Sequence, residues 1–370
     1  MENWLAQRTR AFDVSGIRRF FDLAANMRDP INLSIGQPDF DVPDEVKEAA
    51  IAAIREGRNG YALSQGMPVL REKLQARIDE RFHHADREVF VTCGTSGGLV
   101  LAMMALIDPG DEVVLPDPCF GMYNALAAMM GGRVVPVDTY PDFHLDPDRV
   151  AAAITPRTKL ILVNSPNNPT GAVAAPEELR AIAELAAQRN VALLSDEIYH
   201  DFCYDEPFTS PAEFNPQTIV VDGFSKSHGM PGWRLGFAHG PAAIIGEMIK
   251  LQQYSFVCAP QPAQWGGAKA LEVDIRGHMD AYRRKRDLVI DGLREHYEVV
   301  RPHGAFYVFP KAPWGSGTEF CTRALQQHKL LVVPGGNFSR HDTHFRISYA
   351  APDAALRRGI GALQAMASRS

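Results

Sequence analysis

Lys226 stands in the stretch SKSHGMPGWRLG (residues 225–236), after the apolar run Ile219, Val220, Val221 and a Gly-Phe turn, with Arg234 eight residues further on. An amine attacks a carbonyl only when unprotonated, so a lysine used in this way needs a desolvated or cation-flanked pocket that lowers its pKa. Gly223, Gly229 and Gly232 allow close backbone approach, and the guanidinium of Arg234 offers a planar fork suited to a phosphate dianion. Alone, a Lys and an Arg in a Gly-containing loop are ordinarily solvated surface groups, so the reading rests on what the other motifs add.

Those motifs are spread along the chain. VTCGTSGG (91–98) runs from a strand into a helix starting near Thr95, where unpaired N–H groups and the hydroxyls of Thr95 and Ser96 can hold a phosphate or simply cap the helix. NSPNNPTG (164–171) sets asparagines, Asn168 among them, between prolines in a rigid turn. DEIYHD (196–201) places the carboxylate of Asp196 three residues before the phenol of Tyr199. DPCFGMY (117–123) offers Phe120 and Tyr123, one of which can stack on a heteroaromatic ring. In FRISY (345–349), Arg346 interrupts an apolar strand and needs an anion if it faces inward. The turn at Gly36 in INLSIGQPDFDVP (31–43) brings backbone groups close to whatever lies opposite, and GYALSQG (60–66) presents Tyr61 as an exposed-looking aromatic. A lysine for an imine, an arginine and helix N-terminus for a phosphate, an acid for a ring nitrogen, a phenol and amide for a ring oxygen and an aromatic for the ring face together describe pyridoxal phosphate.

The elements that must position these groups alternate. Strands are predicted over 88–92, 111–115, 133–137, 159–164, 191–195 and 218–222, with helices over 95–107, 121–130 and 177–189 between them. This pattern implies βαβ units and a mostly parallel sheet with helices on both faces, whose ligand sites lie beyond the carboxyl ends of the strands. Helices are also predicted over 15–27, 44–56 and 68–82. After a helix over 242–253 the rhythm changes to α+β: a long helical pattern ending near residue 296, strands over 298–309, 330–333 and 344–348, and helices over 318–328 and 352–366.

At 370 residues the chain suggests two unequal domains, and a formal charge of -6 offers no basic field for nucleic acid or an anionic membrane. The five cysteines are dispersed and in no CxxC spacing, which suits reduced thiols in a cytoplasmic protein. No His/Cys/carboxylate cluster has metal-ligand spacing, and no apolar run is long enough to span a bilayer.

From about residue 15 to about residue 363 the chain resembles the fold type I, class I/II pyridoxal-phosphate aminotransferases: SIGQPDFDVP, GYALSQGMPVLR, VTCGTSGG, NSPNNPTG, DEIYHD, SKSHGMPGWRLG, GAFYVFP and FRISYA match that family's motifs in order. The resemblance implies reversible ping-pong amino-group transfer between an L-amino acid and a 2-oxo acid. Lys226 would form the imine with the cofactor and shuttle a proton, and Asp196 would pair with the ring nitrogen. Tyr199 and Asn168 would bond the ring oxygen and Phe120 would stack on the ring. Thr95, Ser96, Ser225 and Arg234 would hold the phosphate, joined by Tyr61 from the neighbouring subunit of a homodimer. Arg346, with the backbone near Gly36 and the Asn168 amide, would clamp the substrate carboxylate. It further implies an N-terminal arm and joining segment (1–39), a large cofactor domain (40–275) and a small C-terminal domain (276–370). A carbon–sulfur β-lyase on the same scaffold is the alternative, and a non-catalytic regulator a more remote one. Departures from the family pattern are His228 and the Met230-Pro231 pair beside the cofactor loop. The stretch 254–260 lacks a basic residue that could meet a second substrate carboxylate, although Arg18 and Arg19 could serve instead. Which amino acid is used is not legible from motifs.

Overall fold

The computed structural model describes residues 4–14, 16 and 27–367. In chain order its elements begin with β1 (Ile31–Asn32), α1 (Asp44–Arg55), α2 (Pro68–Phe82), β2 (Arg87–Cys93), α3 (Gly94–Leu106), β3 (Glu112–Asp117), α4 (Met122–Met129), β4 (Arg133–Asp138) and α5 (Pro147–Ala153). They continue with β5 (Thr158–Asn164), α6 (Pro176–Arg189), β6 (Ala192–Asp196), β7 (Ile219–Gly223), β8 (Leu235–Pro241), α7 (Ala242–Gln253), α8 (Gln261–Ala270) and α9 (Arg276–Leu293). The last are β9 (Tyr307–Val308), α10 (Gly317–His328), β10 (Leu330–Leu331), β11 (Val333–Pro334), β12 (Phe345–Ser348) and α11 (Asp353–Met366).

Seven strands form one sheet in the order β2-β8-β7-β6-β5-β3-β4. Neighbours are parallel except β8, which runs antiparallel to both β2 and β7. Successive residues of a strand face opposite sides, so a sheet covered twice must be apolar on both. Leu160 and Leu162 of β5 accordingly pack with Leu99 and Met103 of α3, while Ile161 and Val163 pack with Ile182 and Ala186 of α6. A separate core gathers Ile31 and Leu33 with Val308, Phe320, Leu330, Phe345, Ile347 and Leu363. There β9 and β11 flank β12, and β1 pairs in parallel with β10.

Local chemistry explains the helix ends. Pro68 occupies the first turn of α2, and Leu70, Leu74, Ile78 and Phe82 bury one stripe of it. Ser316 and Glu319 form a reciprocal capping box at the start of α10.

Four expectations change. The strand β8 is not among the predicted strands, because its glycines and proline dilute a strand signal, whereas pairing along both edges holds it extended. The short α5, capped by Asp146, carries too few apolar positions to be recognised. The long helical pattern divides into α8 and α9, because the Asp274 carboxylate accepts the Arg276 N–H at 2.9 Å and starts a new helix. The strand expected over 298–309 shrinks to Tyr307–Val308, after Pro302 and an Ala305 held at φ 53°. The helix expected over 15–27, with Arg18 and Arg19, falls largely on residues 15 and 17–26, outside the described residues. Among the described residues no helix is long and apolar enough to cross a membrane, and no group of three or more His, Cys, Asp or Glu is placed to hold a metal ion.

Candidate active site

The carboxyl ends of β2, β3, β5, β6 and β7 share one edge of the large sheet, and a cavity of about 280 Å³ opens there against the C-terminal sheet. Its lining includes Gly36, Thr95, Ser96, Phe120, Asn168, Asp196, Tyr199, Ser225, Lys226, Arg234 and Arg346. Tyr61 is the one expected site residue absent from it, being 87% exposed on the single chain.

Lys226 follows β7 and donates from Nζ to the Gly36 carbonyl at 2.8 Å. Burial, with the cations of Arg346 and Arg234 nearby, lowers its pKa to about 8. Gly36 thus contributes its carbonyl as an acceptor to the lysine. Asp196 ends β6, and burial pushes its pKa up to about 6, restrained by the Tyr123 hydroxyl, which donates to Oδ2 at 2.8 Å, and by the Ile198 N–H. Asn164 ties the strand end together: its amide donates to the Asp196 carbonyl at 2.9 Å and its Oδ1 accepts the Asn168 N–H at 3.0 Å.

On the opposite wall Arg346 is buried without an acidic partner among the described residues. It donates to Asn168 Oδ1 at 2.8 Å and to the Ser34 carbonyl at 2.7 Å, and its buried Nε has no partner among the described residues. A buried cation left short of acceptors is complementary to an anionic ligand. A matching deficit exists at the start of α3. The Thr95 hydroxyl is buried and unbonded, the first turn holds no acidic residue, and Arg234 makes no ion pair among the described residues. Gly94 sits at φ 70°, where an added Cβ would lie 2.6 Å from the Arg234 guanidinium, so the arginine closes directly over the helix start. Unfilled helix N–H groups, a free hydroxyl and a cation fit a phosphate; the buried carboxylate of Asp196 fits a protonated ring nitrogen.

Tyr123, Asn164 and Tyr307 also line the cavity. Tyr123 was visible in its motif only as an aromatic of uncertain use; Asn164 lay inside NSPNNPTG without an assigned task, and Tyr307 inside GAFYVFP. His228, the departure from the family pattern beside the cofactor loop, is buried, bonds Ser227 at 2.9 Å and borders a different cavity behind the lysine loop.

The chain belongs to the class I and II aminotransferases: residues 28–363 match that family. It is therefore an enzyme that moves an amino group between amino acids and 2-oxo acids. It is 39% identical to the aspartate/prephenate aminotransferase of Thermus thermophilus over 90% of this chain and 89% of that one. It is 35% identical to the aspartate aminotransferase of Pyrococcus abyssi over 97% of each. Among solved structures, the aspartate aminotransferase of Thermus thermophilus with maleate superposes with a TM-score of 0.94, at 36% identity and covering 98% of this chain and 99% of that chain.

Proposed function

We propose that this aminotransferase works with pyridoxal 5'-phosphate held by the cavity residues in the roles given above, Lys226 being the amine that engages it. The observation that carries the reading is a lysine with its pKa lowered to about 8, set in one cavity with a buried carboxylate, an unfilled anion cradle and a buried arginine that has no acidic partner among the described residues. When bound, the cofactor supplies an aldehyde carbon for the amine and a ring that accepts electrons from the substrate Cα. Thr95, Ser96, Ser225 and Arg234 anchor its phosphate, and Asp196 holds the ring nitrogen's proton, its own charge favoured by that cation. Phe120 covers the ring face, and Tyr199 and Asn168 meet the ring oxygen. Arg346 and the Asn168 amide grip the substrate carboxylate, which orients the Cα–H bond towards Lys226, the base that removes the proton and returns it on the other side of the transfer.

The direct test is the visible spectrum of the protein reconstituted with pyridoxal phosphate. We expect a yellow band that an amino acid bleaches and a 2-oxo acid restores; no band, or a band indifferent to every amino acid, would sink the assignment. Aspartate and its oxo acid are the first pair to try, since aspartate is named for both relatives described above. Arg346→Leu is expected to lower kcat/KM by roughly 10²- to 10³-fold for amino acid and oxo acid alike, since both carry the clamped carboxylate. Steady-state kinetics in both directions check this, and a loss confined to one substrate would contradict it.

The same reading extends to a cytoplasmic homodimer with Tyr61 completing the neighbouring phosphate site, and to large and small domains over 40–275 and 276–370. Tyr61 at 87% and Tyr254 at 89% exposure, with Leu63, Phe256 and Val257 also exposed, support a covered surface. Phe256 lies against Gly97 of α3, so that surface adjoins the cavity.

A further inference from the structure

Tyr307 touches the functional groups on one whole side of the cavity, although no motif argument assigns it a task. Its hydroxyl lies 2.8 Å from the Tyr199 hydroxyl, in a buried pair. Its ring lies under the Arg346 guanidinium, 4.5 Å from centroid to carbon. A Cβ on Gly36 would come within 2.4 Å of its hydroxyl, and the Gly36 carbonyl is the acceptor for Lys226. The residue comes from β9, aligned with Ser348 of β12 in the C-terminal sheet, whereas Tyr199 follows β6 of the large sheet. This hydrogen bond therefore joins the two sheets at the site, as the bond from Arg346 to Asn168 also does.

The direction of that bond matters. Two phenols at this distance have one proton between their oxygens, and either can be the donor. If Tyr199 donates to Tyr307, it has no proton left for a ligand. If Tyr307 donates, the Tyr199 proton is free to point into the cavity, and the bond it accepts makes Tyr199 a stronger donor. Tyr199 is the only hydrogen-bond partner of the Tyr307 side chain among the described residues, so donation to it also satisfies the buried Tyr307 hydroxyl.

We propose that Tyr307 is a positioning residue that donates its hydroxyl proton to Tyr199, so directing the Tyr199 proton at the cofactor's ring oxygen, and that its ring fixes Arg346 for the substrate carboxylate. This rests on the pyridoxal phosphate reading. Tyr307 is then the member that ties the carboxylate clamp to the ring-oxygen contact, with one atom group serving each: the hydroxyl for Tyr199, the ring face for Arg346.

The test uses the pH midpoint of the bound cofactor's visible band in wild type, Tyr307→Phe, Tyr199→Phe and the double variant. A weaker donor at the ring oxygen makes the cofactor linkage more basic, so Tyr307→Phe is expected to raise the midpoint by about one pH unit. In the Tyr199→Phe background the same change should move it hardly at all. Phenylalanine keeps the ring under Arg346, so the affinity for maleate, a carboxylate without an amino group, should stay within about twofold; Tyr307→Leu, which removes the ring, should weaken it well beyond that. Melting curves of the cofactor-free variants identify any loss of fold, and an unfolded Tyr307→Phe would overturn the assignment in favour of a structural role. An unmoved midpoint, or equal shifts in both backgrounds, would equally overturn it. Wild type that forms no visible band fails in a recognisably different way, since it removes the cofactor reading before any variant is compared.

Discussion

Lys226→Ala is expected to retain the fold and lose transamination by at least roughly 10⁴-fold, because one side chain supplies both the amine that engages the cofactor and the base that moves the Cα proton. The physical reason lies in where the amine sits. Burial next to the cations of Arg346 and Arg234 lowers its pKa to about 8, against 10.5 for a free lysine. At neutral pH this raises the unprotonated fraction about 300-fold. The sign is set by that direction: capture of pyridoxal phosphate by the cofactor-free protein should accelerate as pH rises through about 8 and level off above it. Stopped-flow absorbance across pH checks this, and a capture rate still climbing beyond pH 10 would show an unperturbed lysine. Removing the buried cation should leave the cofactor-free protein no less stable between pH 6 and 8, where a charged Lys226 is costly, so a collapse of its melting temperature would contradict the burial argument.

Asp196→Asn is expected to cost roughly 10²- to 10³-fold in kcat, the range seen when one electrostatic partner of a developing charge is removed. Asparagine keeps an acceptor for the Tyr123 hydroxyl, so the geometry at the end of β6 survives while the charge does not. The stability effect runs the other way. Burial raises the Asp196 pKa to about 6 from 3.8, so the folded protein holds that proton more tightly than the unfolded chain. The carboxylate therefore costs stability as pH rises from about 4 through 6, and above that the penalty is complete at about 3 kcal/mol. The cofactor-free Asn variant should thus melt at or above the wild-type temperature at pH 8, and the gain should fade as pH falls towards 4. Such a trade of stability for activity is what a site residue shows. A variant that lost activity and melted much lower would instead mark Asp196 as a structural group.

His228 illustrates how far local reading reaches. Its place two residues after Lys226 made ligand contact thinkable, but the loop turns between them, so Lys226 lines one cavity and His228 another. Two residues of spacing in a loop say nothing about facing, because no fixed period applies there as it does in a helix or strand. Where a period does apply, the reading carries: α7 occupies residues 242–253 as predicted, and the parallel strands fall within one or two residues of expectation.

What the amino-acid sequence determined by itself was the class of fold and the kinds of group at the site. Alternating strand and helix periods place each loop that follows a parallel strand at the carboxyl edge of the sheet, so Thr95, Phe120, Asn168, Asp196 and Lys226 had to converge once the sheet formed. Only the tertiary structure decided their state. The bond from Lys226 to Gly36 spans 190 residues, that from Arg346 to Asn168 spans 178, and the Tyr199–Tyr307 pair spans 108. The antiparallel β8, the Tyr123 bond that restrains Asp196 and the desolvation that lowers Lys226 likewise depend on neighbours distant in the chain. A residue's type and spacing are local properties, but pKa and hydrogen-bond direction are set by the charges, donors and burial that surround it, and those exist only after distant segments have packed together.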